Sequence, residues 1–268
     1  MPAHPNPLMR LGRDVMRGTL FQKKRAYFTI DDGPTCDRRH RVGALAARGV
    51  PCLWFCTGRE LEQRPDDALY TIRRGGVIGN HAFSHPYFSR IPLEQCSDEI
   101  GRTDELIDKL YQQSGVPRPI KAFRFPFGDK GGSHDYFRAK PYTPAGRARM
   151  QEIQRMLRAL GYAQPAFADV TYRHYREAGL RDDADWFWTF DVTEWGLFQD
   201  PPAHGMDSLQ KVVARLERDA PHRWEGLNDK RSADIVLMHD HVETTGVFEQ
   251  ILDRLLAKGI EFQPIPVS

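Results

Sequence analysis

Apolar residues fall into two alternating patterns from about residue 26 to the C-terminus: short β-like runs and longer stretches at helical spacing. Tyr27, Phe28 and Ile30 form a β-prone run that Gly33-Pro34 stops, and residues 50–57 read as a second strand. Residues 122–128 read as another, interrupted by Arg124 and ending in a turn at Pro126. Aromatic residues 188–195, then 235–240 and 260–265, complete the strand set. Between them, Thr35 is placed to cap a helix over 37–48, with Val42, Leu45 and Ala46 facing inward. Further helices are predicted over 65–73, 93–113, 145–160, 209–219 and 248–258. The longest carries Ile100, Leu106 and Leu110 on its apolar stripe. Strands alternating with helices predict a parallel sheet in an α/β fold.

The polar residues that end the strands carry the candidate chemistry. The first run closes in Asp31-Asp32 before Gly33-Pro34. Neighbouring residues at a strand end can point in different directions, so one carboxylate can bind a metal while the other takes a proton. An isolated Asp-Gly pair would read simply as turn chemistry. Asn80-His81-Ala82-Phe83-Ser84-His85-Pro86 adds two imidazoles four residues apart, which a helical or tight turn would set on one face. One carboxylate and two imidazoles make a three-ligand set that leaves positions open for water and substrate. The segment at 122–128 ends near an arginine, 188–195 in Asp191, Glu194 and Trp195, and 235–240 in His239-Asp240. Chemistry gathered at the C-terminal ends of strands is the layout of an α/β barrel.

These five segments, in this order, resemble the motifs of the polysaccharide deacetylase family, the NodB-homology domain of family 4 carbohydrate esterases. The family patterns T-F-D-D-G-P, H-[ST]-x-x-H, R-x-P-[YF], D-x-x-D-W and L-x-H appear here at Thr29 to Pro34, His81 to His85, Arg124 to Phe127, Asp191 to Trp195, and Leu237 to His239. The resemblance implies a distorted (β/α) barrel with loop insertions, and removal of an N-acetyl group from an amino sugar or oligosaccharide with one divalent metal ion. Zinc is the expected ion, with cobalt, nickel or another as alternatives. Carried over position by position, Asp31 is the general base, and Asp32, His81 and His85 are the metal ligands. The Phe127 N–H would help hold the oxyanion, Arg124 would orient Asp31, and Glu194 would tune His239, the general acid. Asp191 opens the fourth motif, and Trp195 and Leu237 would wall the acetyl pocket. Four positions depart from the pattern: Ile30 for Phe, Ala82 for Ser or Thr, Phe127 for Tyr, and Glu194 for Asp. None removes a ligand, the base or the acid.

Length and composition bound the rest. A chain of 268 residues suits one α/β barrel with additions: an N-terminal extension over 1–25, a catalytic domain over 26–268, and insertions at about 129–144 and 199–230. The insertions follow catalytic strands and are expected as rim loops, where Tyr136, Phe137, Tyr142 and Trp224 are placed to stack on sugar rings. With 38 basic and 36 acidic residues, charge gives no case for nucleic acid or an anionic membrane. The first 24 residues lack an apolar leader segment, and no stretch approaches a membrane span. Along a strand, Cys52 and Cys56 would lie about 13 Å apart, beyond disulfide reach. Four cysteines without a pairing framework point to a reducing compartment, and so to a cytoplasmic enzyme acting on a soluble substrate. His134, His174, His204, His222 and His241 read as surface residues. Two rival functions remain at this level: an amidase or deformylase on a non-sugar or nucleotide-linked amide, and a carbohydrate-binding pseudoenzyme.

Overall fold

Side-chain parity along the first strand divides the molecule into an inside and an outside. In the computed structural model, which describes residues 23–132, 142–165, 167–218 and 226–267, strand β1 spans Lys24–Asp31. Its even-numbered Ala26, Phe28 and Ile30 join one apolar cluster with Trp54, Val236 and Met238, packed under the surrounding helices. Odd-numbered Tyr27 joins a second cluster with Leu53, Phe55, Ile235 and Leu237. Period-two alternation thus sends one set to the helices and the other to the barrel interior.

Strands β2 (Cys52–Cys56), β3 (Val77–Asn80), β4 (Phe190–Asp191), β5 (Asp234–His239) and β6 (Ile260–Phe262) complete a parallel sheet. Its order is β3-β2-β1-β5-β4, with β6 paired to the start of β1. Three helices follow the early strands: α1 (Arg38–Ala47), α2 (Gly58–Gln63) and α3 (Pro65–Arg73). The 22-residue α4 (Leu93–Ser114), α5 (Pro144–Ala159), the short α6 (Arg173–Glu177), α7 (Leu209–Leu216) and α8 (Thr245–Ala257) complete the set.

The barrel wall is regular only on one side. Between β3 and β4 it is carried by single backbone links. Asn80 N–H donates to Ala122 O at 2.9 Å, Arg124 N–H to Asn80 O at 3.0 Å, and Trp186 N–H to Phe123 O at 2.8 Å. The expected strand at 122–128 is therefore a single bridge at Phe123 followed by a 3₁₀ turn, Pro126–Gly128. Its residues serve two interiors, Ala122 facing the barrel and Phe123 and Phe125 packing with Phe88 in a third cluster. Pro126 then removes a donor. Likewise 188–195 is a two-residue strand and a 3₁₀ turn, Glu194–Phe198.

Several local expectations change. Thr35 does not cap α1; its hydroxyl donates to Asp240 Oδ1 at 2.7 Å, and the α1 N-cap residue Asp37 makes no side-chain cap bond. Ala44 rather than Ala46 is buried in α1, and Ile107 rather than Leu106 on α4. Helix α2, capped by Thr57, was not anticipated. Of the four loop aromatics, Tyr142 is half-buried, whereas Tyr136, Phe137 and Trp224 lie outside the described residues, as do His134 and His222. All four cysteines are free. No helix among the described residues is long and apolar enough to cross a membrane.

Candidate active site

Asp31 and His239 meet because register and parity leave them no other arrangement. They are Cα partners across the β1–β5 ladder, one step beyond Thr29 and Leu237 and on the same inward face as Tyr27 and Ile235. Asp31 Oδ1 accepts from Arg124 Nη1 at 2.7 Å, and the same Nη1 donates to Thr29 Oγ1 at 2.8 Å. Arg124 Nε donates to Trp186 O at 3.0 Å, so the guanidinium is fixed from both ends of the irregular wall. Burial pushes the Asp31 carboxyl above the usual carboxylate range, with Arg124 opposing.

One residue later the chain leaves the strand. Asp32 has φ 68° and Gly33 φ 61°. A Cβ on Gly33 would stand 2.2 Å from Asp240 Oδ2, so glycine is required for both conformation and space. Asp240 is fully buried between Arg38 and Arg41, and its N–H donates to Asp31 O at 2.9 Å. This clamp holds the first motif against the end of β5.

Asp32, His81 and His85 each turn one ligand atom into a group whose atoms lie within 4.8 Å of one another. Asp32 Oδ1 is 3.2 Å from His85 Nε2 and 3.6 Å from His81 Nε2. The two histidines do not share a helix face. They sit on a loop after β3 in which Ala82 (φ 62°) and His85 (φ 59°) are left-handed. Although Ala82 offers no hydroxyl, that loop is well tied. Asn80 Oδ1 accepts from Ala82 N–H at 2.8 Å, and the Glu99 carboxylate accepts from the Phe83 and Ser84 N–H groups and the Ser84 hydroxyl.

The donor set fits a divalent cation. His81 Nδ1 donates to Arg124 O at 2.8 Å, which fixes the tautomer and leaves the Nε2 lone pair for a ligand. Burial lowers both imidazoles to about 4, against the pull of Asp32, so they are neutral near pH 7. Burial works against the Asp32 charge as well. The hydrogen bond from His241 and the His85 and His81 imidazoles nevertheless hold Asp32 well below the carboxylate range.

The remaining predicted residues gather around the same cavity of about 840 Å³. Glu194 is fully buried, and its Oε1 accepts from His239 N–H at 2.5 Å and stands 3.3 Å from His239 Nδ1. Burial disfavours the His239 imidazolium, but that bond and the charges of Glu194, Asp191 and Asp32 outweigh it and raise its pKa to about 10. Asp191 stays above the usual carboxylate range, chiefly from burial, while its Oδ1 accepts from Thr193 N–H at 2.7 Å. The Trp195 ring lies 6.2 Å from His239, and Leu237 forms part of the wall. Phe127 (φ 57°) stacks on Tyr87 at 4.0 Å and meets His85 edge-on at 4.4 Å.

Of the histidines expected on the surface, His204 is exposed and also borders this cavity, whereas His241 is only partly exposed and lines it. His204 packs edge-on against Trp195 at 5.4 Å, and His241 Nε2 donates to Asp32 Oδ2 at 2.7 Å. The signal for His241 was parity: its backbone is extended two residues past His239, which returns its side chain to the inward face. Asp32, His85, Phe127, Thr193 and His204 are all left-handed and all line the cavity; of the described non-glycine residues with positive φ, Ala82 alone does not. Such conformations cost about 1–3 kcal/mol each and cluster where geometry serves function.

Residues 20–145 match the family model described as polysaccharide deacetylase. Over that stretch, just under half of its length, the chain is similar to the polysaccharide deacetylase family. A peptidoglycan-N-acetylglucosamine deacetylase from Bacillus cereus is 28% identical over 91 residues, 34% of this chain and 33% of that protein. A chitooligosaccharide deacetylase from Rhizobium leguminosarum is 30% identical over 91 residues, 34% of this chain and 42% of that protein. The chain thus spans between a third and a half of the length of these curated relatives. A family 4 carbohydrate esterase from Streptomyces lividans, solved with acetate, superposes with TM-score 0.54 at 21% identity over 91% of this chain and 93% of that one. A family 4 pseudoenzyme from Bacillus anthracis gives TM-score 0.55 at 17% identity, over 91% of this chain and 64% of that one. At these identities the likeness is one of fold, the distorted barrel.

Proposed function

We propose that the protein is a hydrolase that removes an N-acetyl group from an amino sugar or oligosaccharide. Asp32, His81 and His85 would hold a divalent ion, zinc being the ion best suited among several that this donor set accepts. The observation that carries the reading is the convergence on one cavity of Asp31, His239 and the Asp32–His81–His85 group.

The chain's own groups account for the proton movements. Asp31, with Oδ1 pinned by Arg124, takes a proton from the attacking water at Oδ2, and its raised basicity suits it to that task. The water oxygen bonds to the amide carbon, and the Phe127 N–H is assigned to the resulting oxyanion. His239, held at Nδ1 by Glu194, delivers a proton from Nε2 to the amine as the C–N bond breaks, giving acetate and a free amino sugar. A divalent ion in the site would supply Lewis acidity, polarising the carbonyl and lowering the pKa of water towards neutrality. Trp195 and Leu237 wall off a space suited to the acetyl methyl.

The Bacillus cereus and Rhizobium relatives are deacetylases of peptidoglycan N-acetylglucosamine and of chitooligosaccharides, which supports a sugar over the non-sugar amide considered above. An intact base, acid and ligand set supports turnover over the pseudoenzyme reading. The test is acetate release by the zinc-loaded protein from chitooligomers, single N-acetylated amino sugars and sugar nucleotides. Release from at least one, lost in Asp31→Asn, is expected. No release from any of them by metal-loaded protein would refute the assignment.

A further inference from the structure

We infer that His241 is a positioning residue for Asp32, fixing one carboxylate oxygen so that only the other is offered to the ion. This rests on the metal reading above. The two oxygens of Asp32 have divided surroundings. Oδ2 accepts from His241 Nε2 at 2.7 Å, while Oδ1 faces His85 Nε2 at 3.2 Å and His81 Nε2 at 3.6 Å. Asp32 has left the strand with φ 68°, so the ladder does not set the direction of its carboxylate. His241 does set it, because its own backbone is anchored. The His241 carbonyl accepts from buried Arg41 Nη2, from Thr244 N–H at 3.1 Å and from Thr244 Oγ1 at 2.9 Å. Arg41 also pairs with Asp240, which is bonded to the end of β1. The imidazole is thus held against Asp32 by the same clamp that holds the first motif.

The consequence for binding is geometric. A carboxylate with one oxygen committed to a hydrogen bond binds through the other, which keeps coordination positions free for substrate. Hydrogen bonds of this kind to a ligand typically change metal affinity about 10–100-fold. A side chain at position 241 with no N–H would let the Asp32 carboxylate turn and offer both oxygens.

The experiment is calorimetric titration of the metal-free full chain with Zn²⁺ and with Co²⁺, together with the visible spectrum of the Co²⁺ form. It compares the native protein with His241→Ala and His241→Gln, circular dichroism confirming that each variant is folded. His241→Ala is expected to bind about 10–100-fold more weakly and to change the Co²⁺ bands. His241→Gln, whose amide N–H reaches the same oxygen, is expected to restore most of the affinity and the native spectrum. Native affinity and spectrum in His241→Ala would overturn the inference. So would a His241→Gln as impaired as His241→Ala, because His241 would then be a direct ligand. A native protein that binds neither ion would instead refute the metal assignment itself.

Discussion

Asp31 and Asp32 are adjacent in sequence and opposite in environment. Asp31 is enclosed, bonded to Arg124 and pushed up by burial; Asp32 faces three imidazoles and is held down. Asp31→Asn is therefore expected to keep the ion and lose about 10²–10⁴-fold in turnover, whereas Asp32→Asn loses both. Metal analysis beside acetate release separates the two, and equal metal loss in both variants would contradict the division of labour. His239 gives a second residue-scale test. Its pKa is raised to about 10, so the ring is protonated at neutral pH and the rate falls only as pH rises through that value. Glu194→Gln removes the leading contribution favouring the charged ring, so the alkaline limb of the kcat profile is expected to move to lower pH. An unmoved limb would take the acid role from His239. His241 is the residue that sequence reading misplaced, because the assigned strand stops at His239 while the extended backbone continues.

At the scale of elements, the segments that build the site were legible in unequal measure. Strands β1 and β5 carry clean alternation and a register that pairs Asp31 with His239, and both were readable from apolar spacing alone. Residues 122–128 and 188–195 were less so, because their pairing is brief. Ala122 O and Arg124 N–H bond Asn80, and Phe123 O bonds Trp186. The second segment pairs with β5 over just Phe190 and Asp191, flanked by the Thr189–Ile235 and Val192–Leu237 bonds. An apolar run in a sequence looks the same whether it joins a ladder or threads between two cores. Long-range polar ties stabilise this irregular wall. Buried Lys130 bonds Asp183 Oδ2 at 2.6 Å and Asp185 Oδ1 at 3.0 Å, joining the third motif to the segment before the fourth. Lys130→Ala leaves Asp185 buried without its cation, and a loss of about 3–5 kcal/mol in urea unfolding is expected. A loss below about 1 kcal/mol would mean that the tie behaves like an exposed surface pair.

Across the whole molecule, alternating periods predicted a parallel α/β sheet, and ionisable residues at the strand ends, with the family resemblance, predicted the barrel layout. Five strand-end motifs supplied the candidate residues. What the sequence could not supply were the left-handed turns. Asp32, His85, Phe127 and Thr193 adopt conformations that their residue types do not announce, and tertiary contacts impose them. Of the two segments expected as insertions, 199–230 reaches the site through Gln199, His204 and Arg215, whereas no described residue of 129–144 lines the cavity. The central claim is that Asp32, His81 and His85 hold the ion on which N-deacetylation depends. It is tested most directly by measuring metal content and acetate release from an N-acetylglucosamine oligomer on the same samples: native, chelator-stripped, zinc-reconstituted, and His81→Ala. Activity that vanishes on stripping, returns with one bound ion per chain and stays absent in His81→Ala is the expected result. Undiminished acetate release from protein shown to contain no metal would contradict the account.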